Sequence, residues 1–174
     1  NDLHAYDEEP LKQAMPLNGT EQSESFAEWK RTNAYNQRQS GFTVATIALP
    51  LGDLTSRQMR RLAAICGKYV KDTVRTTVEQ NLVLRWVSEA DLPALYDELK
   101  SIDLHATGAG TIVDITACPG TDTCKLGIAS SRGLAAELRK RLATKGAELD
   151  TAVEGLRIKV SGCFNSCGQH HAAD

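Results

Sequence analysis

The stretch ACPGTDTCKLG, residues 117–127, holds Cys118 and Cys124 with five residues between them, beside glycine. After a gap of 38 residues, a second loop, GCFNSCG, adds Cys163 and Cys167 with three residues between them. Four thiols in two loops demand a fold that brings both loops to one place, and they suit a shared ligand. Disulfides fit poorly, because the acidic N-terminus is no secretory leader and a chain of this length can build a core without staples. Structural zinc usually takes pairs two to four residues apart, since a tetrahedral ion needs short chelate loops, and five is loose for that. A cubane cluster is larger and tolerates wider loops. Gly120, Gly162 and Gly168 beside the thiols let backbone N–H groups approach sulfur, and such bonds, with helix N-termini, tune an anionic cluster. The spacing favours an iron–sulfur cluster over zinc, and zinc over structural or redox thiols. The fifth cysteine, Cys66, lies on an apolar helical stripe and reads as a packing residue.

The order of elements supplies the frame. FTVATIALPLG (42–52) is rich in β-branched residues and ends at glycine, as a strand does. Thr55 with Gln58 three residues later is a capping box, opening a helix over 55–70 with Met59, Leu62, Ala63, Cys66 and Val70 on its stripe. VRTTVEQNLVLRWV (74–87) reads as two strands joined by a tight turn at 79–81. Ser88 and Asp91 open a second helix, with Leu92, Leu95, Tyr96, Leu99 and Ile102 on one face. Strand, helix, strand, strand, helix is most of a split ferredoxin-like unit. Then TIVDITA (111–117) and LRIKVSG (156–162) read as strands, each running into a cysteine loop and a helix. The first of these helices carries Leu134, Leu138 and Leu142. Ligand loops at strand C-termini are common in α/β folds. The expected class is α+β: residues 1–40 a largely irregular connector, 41–108 a ferredoxin-like half-domain, and 109–174 a truncated α/β domain. Within the connector, Asn18–Gly19 reads as a turn, and 26–41 could hold a turn of helix ending at Ser40–Gly41.

Composition excludes some classes. Aromatic residues are 5% of the chain, which argues against a stacking platform for nucleic acid. No apolar run is long enough to cross a bilayer. The net charge of −2 hides an asymmetry. Residues 1–28 carry seven acids and one base, leaving nineteen bases against fifteen acids in the rest. A mildly positive body suits an anionic ligand or an acidic partner.

The segments ACPGTDTCKLGIASS and VSGCFNSCGQHHAAD resemble the sirohaem-dependent nitrite and sulfite reductases. RQSGFTVATIALPLGDLTSRQMRRLA and VRTTVEQNLVLRWV look like the same family's ferredoxin-like half-domain, so the resemblance covers about residues 37–174. It implies that Cys118, Cys124, Cys163 and Cys167 bind one 4Fe-4S cluster, with Cys167 also bridging to the sirohaem iron. It marks the chain as a fragment of the second, C-terminal half of such an enzyme, lacking the N-terminal half that supplies most substrate contacts. The implied reaction is the six-electron reduction of sulfite to sulfide or nitrite to ammonia, chemistry that needs a cofactor. Sirohaem is a polycarboxylate, so Arg75, Lys125, Arg132 and the Gln80–Asn81 turn are candidates for its contacts. His170 and His171 are expected at the surface or behind the ligands. The implied partners are the missing half, a ferredoxin or flavoprotein electron donor and a small inorganic anion, with a cytoplasmic location. The fragment alone is expected to be inactive, to lack both cofactors and to self-associate. The competing class is a zinc- or cluster-binding interaction or electron-transfer module without sirohaem.

Overall fold

The computed structural model describes residues 10–17, 19, 22–145 and 151–174. In chain order these form α1 (Glu24–Asn33), β1 (Ala34–Asn36), β2 (Phe42–Ile47), α2 (Ser56–Tyr69), β3 (Val74–Thr76), β4 (Leu82–Ser88), α3 (Leu92–Lys100), β5 (Thr116–Ala117), α4 (Ser131–Lys145), α5 (Thr151–Glu154) and β6 (Lys159–Val160). The first four strands make one antiparallel sheet in the order β1-β2-β4-β3, and β5 pairs with β6 in parallel. The fold is α+β: a ferredoxin-like unit followed by a short α/β segment. No helix among the described residues is long and apolar enough to cross a membrane.

Local chemistry places the half-domain helices. The Thr55 hydroxyl accepts from Gln58 N at 3.2 Å, and the Gln58 side chain accepts from Thr55 N at 3.1 Å, closing the capping box that starts α2. Leu62, Ile65, Cys66 and Tyr69 face the core from α2, and Leu92, Leu95, Tyr96 and Leu99 from α3. Val70, just past the helix end, is also buried. The expected α2 stripe is rotated. Met59 is 57% exposed and Ala63 is exposed, because the helix centres its buried face on Ile65 and Cys66. Burial pushes the Cys66 thiol up to about 11, which suits a packed, un-ionised side chain.

The region ahead of Phe42 is more ordered than its composition suggests. Ser23 caps α1 by accepting from Phe26 N at 3.3 Å. Phe26 and Trp29 are buried against Tyr96, with ring centroids 5.5 and 5.4 Å away. The helix ends at Asn33, not at Ser40–Gly41, and Asn33 Nδ2 donates to Thr46 O and Ala106 O at 2.9 Å each. Ser40–Gly41 instead turns β1 into β2, with Gly41 at a φ of 78°. Residues 10–17 also lie against the half-domain. Met15 N donates to Ser88 Oγ at 3.1 Å, and Lys12 pairs with Asp91 at 2.9 Å. The acidic positions 2–9 and 21 and the turn residue Asn18 lie outside the described residues.

Beyond residue 108 the strands are shorter than expected. Turns occupy 108–114, where Thr111 N donates to Gly108 O and Asp114 N to Thr111 O, so extended pairing begins only at Thr116. The second cysteine loop leads into a single 3-10 turn, His170–Ala172, rather than a helix. On α4, Leu138 and Leu142 pack inward against Ile115, Ala117 and Ala135, whereas Leu134 is turned outward.

Candidate functional site

Parallel pairing of β5 with β6 brings the two cysteine loops side by side. Cys118 N donates to Val160 O at 3.1 Å, extending the ladder by one residue into the first loop. The loops are then stitched together: Ile128 N and Ala129 N both donate to Gly162 O, at 2.9 and 3.0 Å. This crossing is backbone on backbone. A Cβ on Gly162 would stand 2.7 Å from Ala129 O and 2.8 Å from Gly120 Cα. Gly120 itself has a φ of 53°, and a Cβ there would meet Ser131 Oγ at 2.3 Å. Only glycine permits both the turn and the approach.

Cys118 sits beneath this crossing, buried. Its Sγ accepts from Gly162 N at 3.1 Å and lies 3.3 Å from Ser131 Oγ, while that hydroxyl donates to Cys118 O at 2.7 Å. Burial, the largest single influence, pushes the thiol up. The Ser131 hydroxyl and the N–H groups of Gly162, Gly120 and Cys118 together outweigh it and hold the thiol below its ordinary value. This is an environment for sulfur carrying negative charge. Cys124 N is tied back to Gly120 O at 3.1 Å, and Cys124 and Cys163 are half-buried. Cys167 is exposed. Among the described residues no group of three or more His, Cys, Asp or Glu side chains is gathered so as to hold a metal ion. The N–H groups directed at the Cys118 sulfur would suit an anionic ligand sphere there.

The other candidate residues divide by what they touch. Lys125 is exposed in the first loop. Arg75 is exposed on β3, where it donates to Val74 O at 2.9 Å and has a further interaction. Gln80, Asn81 and Arg132 are engaged within the protein. The Gln80 amide donates to Ala117 O at 2.9 Å and accepts from Ala117 N at 3.2 Å. Asn81 is buried, accepts from Leu49 N at 2.8 Å and donates to Asp114 Oδ2 at 2.8 Å. Arg132 donates to Leu51 O at 3.2 Å and pairs with Asp53 and Asp122. The His170 and His171 rings lie 4.1 Å apart, tilted by 43°, next to the second loop.

Sequence reasoning missed Ser131, whose signal was its place as the first residue of the helix after the loop. It also missed three exposed apolar residues in the two loops: Leu126, Ile128 and Phe164, the last 84% exposed. Large apolar residues inside glycine-rich cysteine loops were the available sign. A cleft of about 280 Å³ along the seam between half-domain and loops is lined by Glu79, Asn81, Asp114 and Lys159, among others, and by no cysteine. The thiols lie outside this cleft.

Residues 35–102 match the family described as the nitrite/sulfite reductase ferredoxin-like half domain. The chain is 30% identical to the ferredoxin–nitrite reductase of Synechococcus elongatus over 150 residues, which are 84% of this chain and 28% of that protein. It is 28% identical over 140 residues to a ferredoxin sulfite reductase of Mycolicibacterium paratuberculosis, covering 78% of this chain and 25% of the relative. The structure of the Mycobacterium tuberculosis NirA protein superposes with a TM-score of 0.61 at 24% identity, over 79% of this chain and 25% of that one. The chain thus spans about a quarter of the length of these relatives.

Proposed function

We propose that this homologue of ferredoxin-dependent nitrite and sulfite reductases supplies the four cysteines of a coupled 4Fe-4S and sirohaem centre. The reaction of the whole enzyme would be six-electron reduction of nitrite to ammonia or of sulfite to sulfide. The observation that carries this reading is the stitched pair of loops, with two glycine N–H groups and a serine hydroxyl around the Cys118 sulfur. When bound, such a centre would supply the single electrons that reduction of a small anion needs, chemistry that no side chain provides.

The chain's own residues have distinct parts in this reading. Cys118, Cys124, Cys163 and Cys167 would hold the cluster. Cys167, the exposed one, would also reach the sirohaem iron. The N–H groups of Gly162 and Gly120 would balance charge on the Cys118 sulfur. Lys125 and Arg75 would meet carboxylates of the macrocycle. The remainder of the enzyme, belonging to the half that precedes this one, would cover the exposed Leu126, Ile128 and Phe164 and complete the substrate site. A ferredoxin is the donor this reading favours, because relatives of both kinds bear that name. The isolated chain would be inactive and would self-associate through its uncovered surfaces, in a cytoplasmic setting.

The test is anaerobic reconstitution of the complete enzyme with iron and sulfide, followed by iron and acid-labile sulfide analysis of Cys→Ser variants at the five cysteines. The expected outcome is loss of cluster at Cys118, Cys124, Cys163 and Cys167, because a hydroxyl is a poor ligand beside sulfide, and full retention at Cys66. Cys167→Ser should also shift the sirohaem absorption bands. A colourless protein that takes up zinc stoichiometrically would overturn the reading.

A further inference from the structure

We propose that Gln80 and Arg132 are positioning residues that fix the two ends of the first cysteine loop to the ferredoxin-like half-domain. At the leading end, the Gln80 amide pairs with both backbone groups of Ala117, one residue before Cys118. It substitutes a side chain for a neighbouring strand, on the side of β5 away from β6. At the trailing end, Arg132 leaves the first turn of α4 and reaches Leu51 O and Asp53 in the half-domain, while its Nε lies 3.1 Å from Asp122 inside the loop. Both anchors converge on one turn. Residues 50–52 form a short 3-10 turn, and Gly52, at a φ of 71°, leaves room for Gln80: a Cβ on Gly52 would stand 3.1 Å from Gln80 Cβ.

Two features mark the arrangement as more than incidental packing. Gln80 holds a φ of 65°, a region that disfavours a residue with a Cβ, and glycine would serve the turn more comfortably. The side chain therefore does something that the turn alone does not need. Second, the apolar contribution to this seam is small. Leu51 packs against the Ile115–Ala117–Ala135 cluster, which is far smaller than the half-domain core, so directional hydrogen bonds must set the register. Moving Ala117 moves Cys118 against Gly162 N, the N–H group that meets its sulfur. The half-domain thereby governs the geometry of the first thiol.

That the thiols hold a cluster rests on the function proposed above; the clamp does not, and its test is independent of cofactor. Residue-resolved amide hydrogen exchange on the whole chain, with Gln80→Gly and Arg132→Met, reads it directly. Gln80→Gly keeps a left-handed turn and removes only the clamp. In that variant Ala117 N–H loses its acceptor, and both it and Gly162 N–H should exchange about tenfold faster or more, while Ile65 in α2 is unchanged. In Arg132→Met the acceleration should fall on Ile128 and Ala129, whose N–H groups bind Gly162 O. If Ala117 alone accelerates while Gly162 keeps its protection, the clamp does not position Cys118 and the proposal fails. Equal acceleration at Ile65 means global destabilisation and overturns it as well. Iron and sulfide content of the reconstituted complete enzyme, measured in parallel, judges the cluster reading separately. Unmodified enzyme that takes up no cluster counts against that reading, and the exchange data still decide the clamp.

Discussion

The half-domain and the cysteine segment are held together by different physics. In the half-domain with α1, eighteen buried apolar residues among the described residues form one continuous cluster, from Phe26 on α1 to Leu104 after α3. In the cysteine segment, among the described residues, the buried cluster is Ile115, Ala117 and Ala135. What it lacks in apolar burial it replaces with glycine crossings, the Gln80 and Asn81 side chains and the Arg132 ion pairs. Apolar burial is non-directional and forgives small shifts, whereas backbone crossings and hydrogen bonds fix position closely. The cysteine segment is built from the second kind of contact and leans on a neighbour built from the first.

The comparison predicts that damage in the core spreads and damage in the loops stays local. Leu99→Ala removes a fully buried side chain between α3 and the sheet. It should cost about 2–5 kcal/mol and lower the unfolding transition of the whole chain, measured by chemical denaturation. Gly162→Ala should cost about 1–3 kcal/mol, because the new methyl meets the backbone of Ala129 and Gly120, which cannot swing aside. Here the loops separate while circular dichroism and half-domain exchange protection persist. If Gly162→Ala instead melts the α2 and α3 amides together with the loops, the two regions are one cooperative unit and the contrast fails.

Intermediate effects belong to buried side chains with opposite needs. Cys66→Ser places a hydroxyl in the apolar interior and should cost about 1–3 kcal/mol, with cluster content per folded molecule unchanged. Cys118→Ser should be milder for folding, since Ser131 and Gly162 offer hydrogen-bonding partners, yet it should abolish cluster retention. A crossover of this kind between denaturation midpoint and iron content would separate packing from ligation.

The two regions were also unequally legible in the sequence. The capping box at Thr55–Gln58, the two-strand run over 74–87 and the periodic leucines of α3 are local signals, and each corresponds to an observed element. Helix α1 was obscured because its buried face is only Phe26, Trp29 and Asn33, amid charged residues that point outward. Strands β5 and β6 are two residues each, too short for alternation to register. The cysteine spacing marked out the two loops that the pairing of β5 with β6 brings side by side. The roles of Gln80, Asn81 and Arg132 left no trace in periodicity, because each acts on a residue 30 or more positions away.

The smallest effect tests the seam itself. Asp114 lies there, its Oδ2 accepting from Asn81 Nδ2 and from Gly110 N, both at 2.8 Å. Burial, the leading influence, raises its carboxyl above the usual value, and those two hydrogen bonds and Arg139 only partly offset it. The folded state therefore holds the proton to higher pH than the unfolded chain does. Stability from this group is fully present below its unfolded pKa and is lost as pH rises through its folded pKa, so at neutral pH the charge is a net cost. Asp114→Asn supplies an amide oxygen for the same two donors without the charge. The variant should match the parent at low pH and be slightly more stable at neutral pH, by less than about 1 kcal/mol, with the increment appearing across that acidic window. Denaturation midpoints measured through the window check this. An Asp114→Asn variant less stable than the parent at neutral pH would mean that the carboxylate's attraction to Arg139 outweighs its burial, and that the seam is held by charge as well as by directional hydrogen bonds.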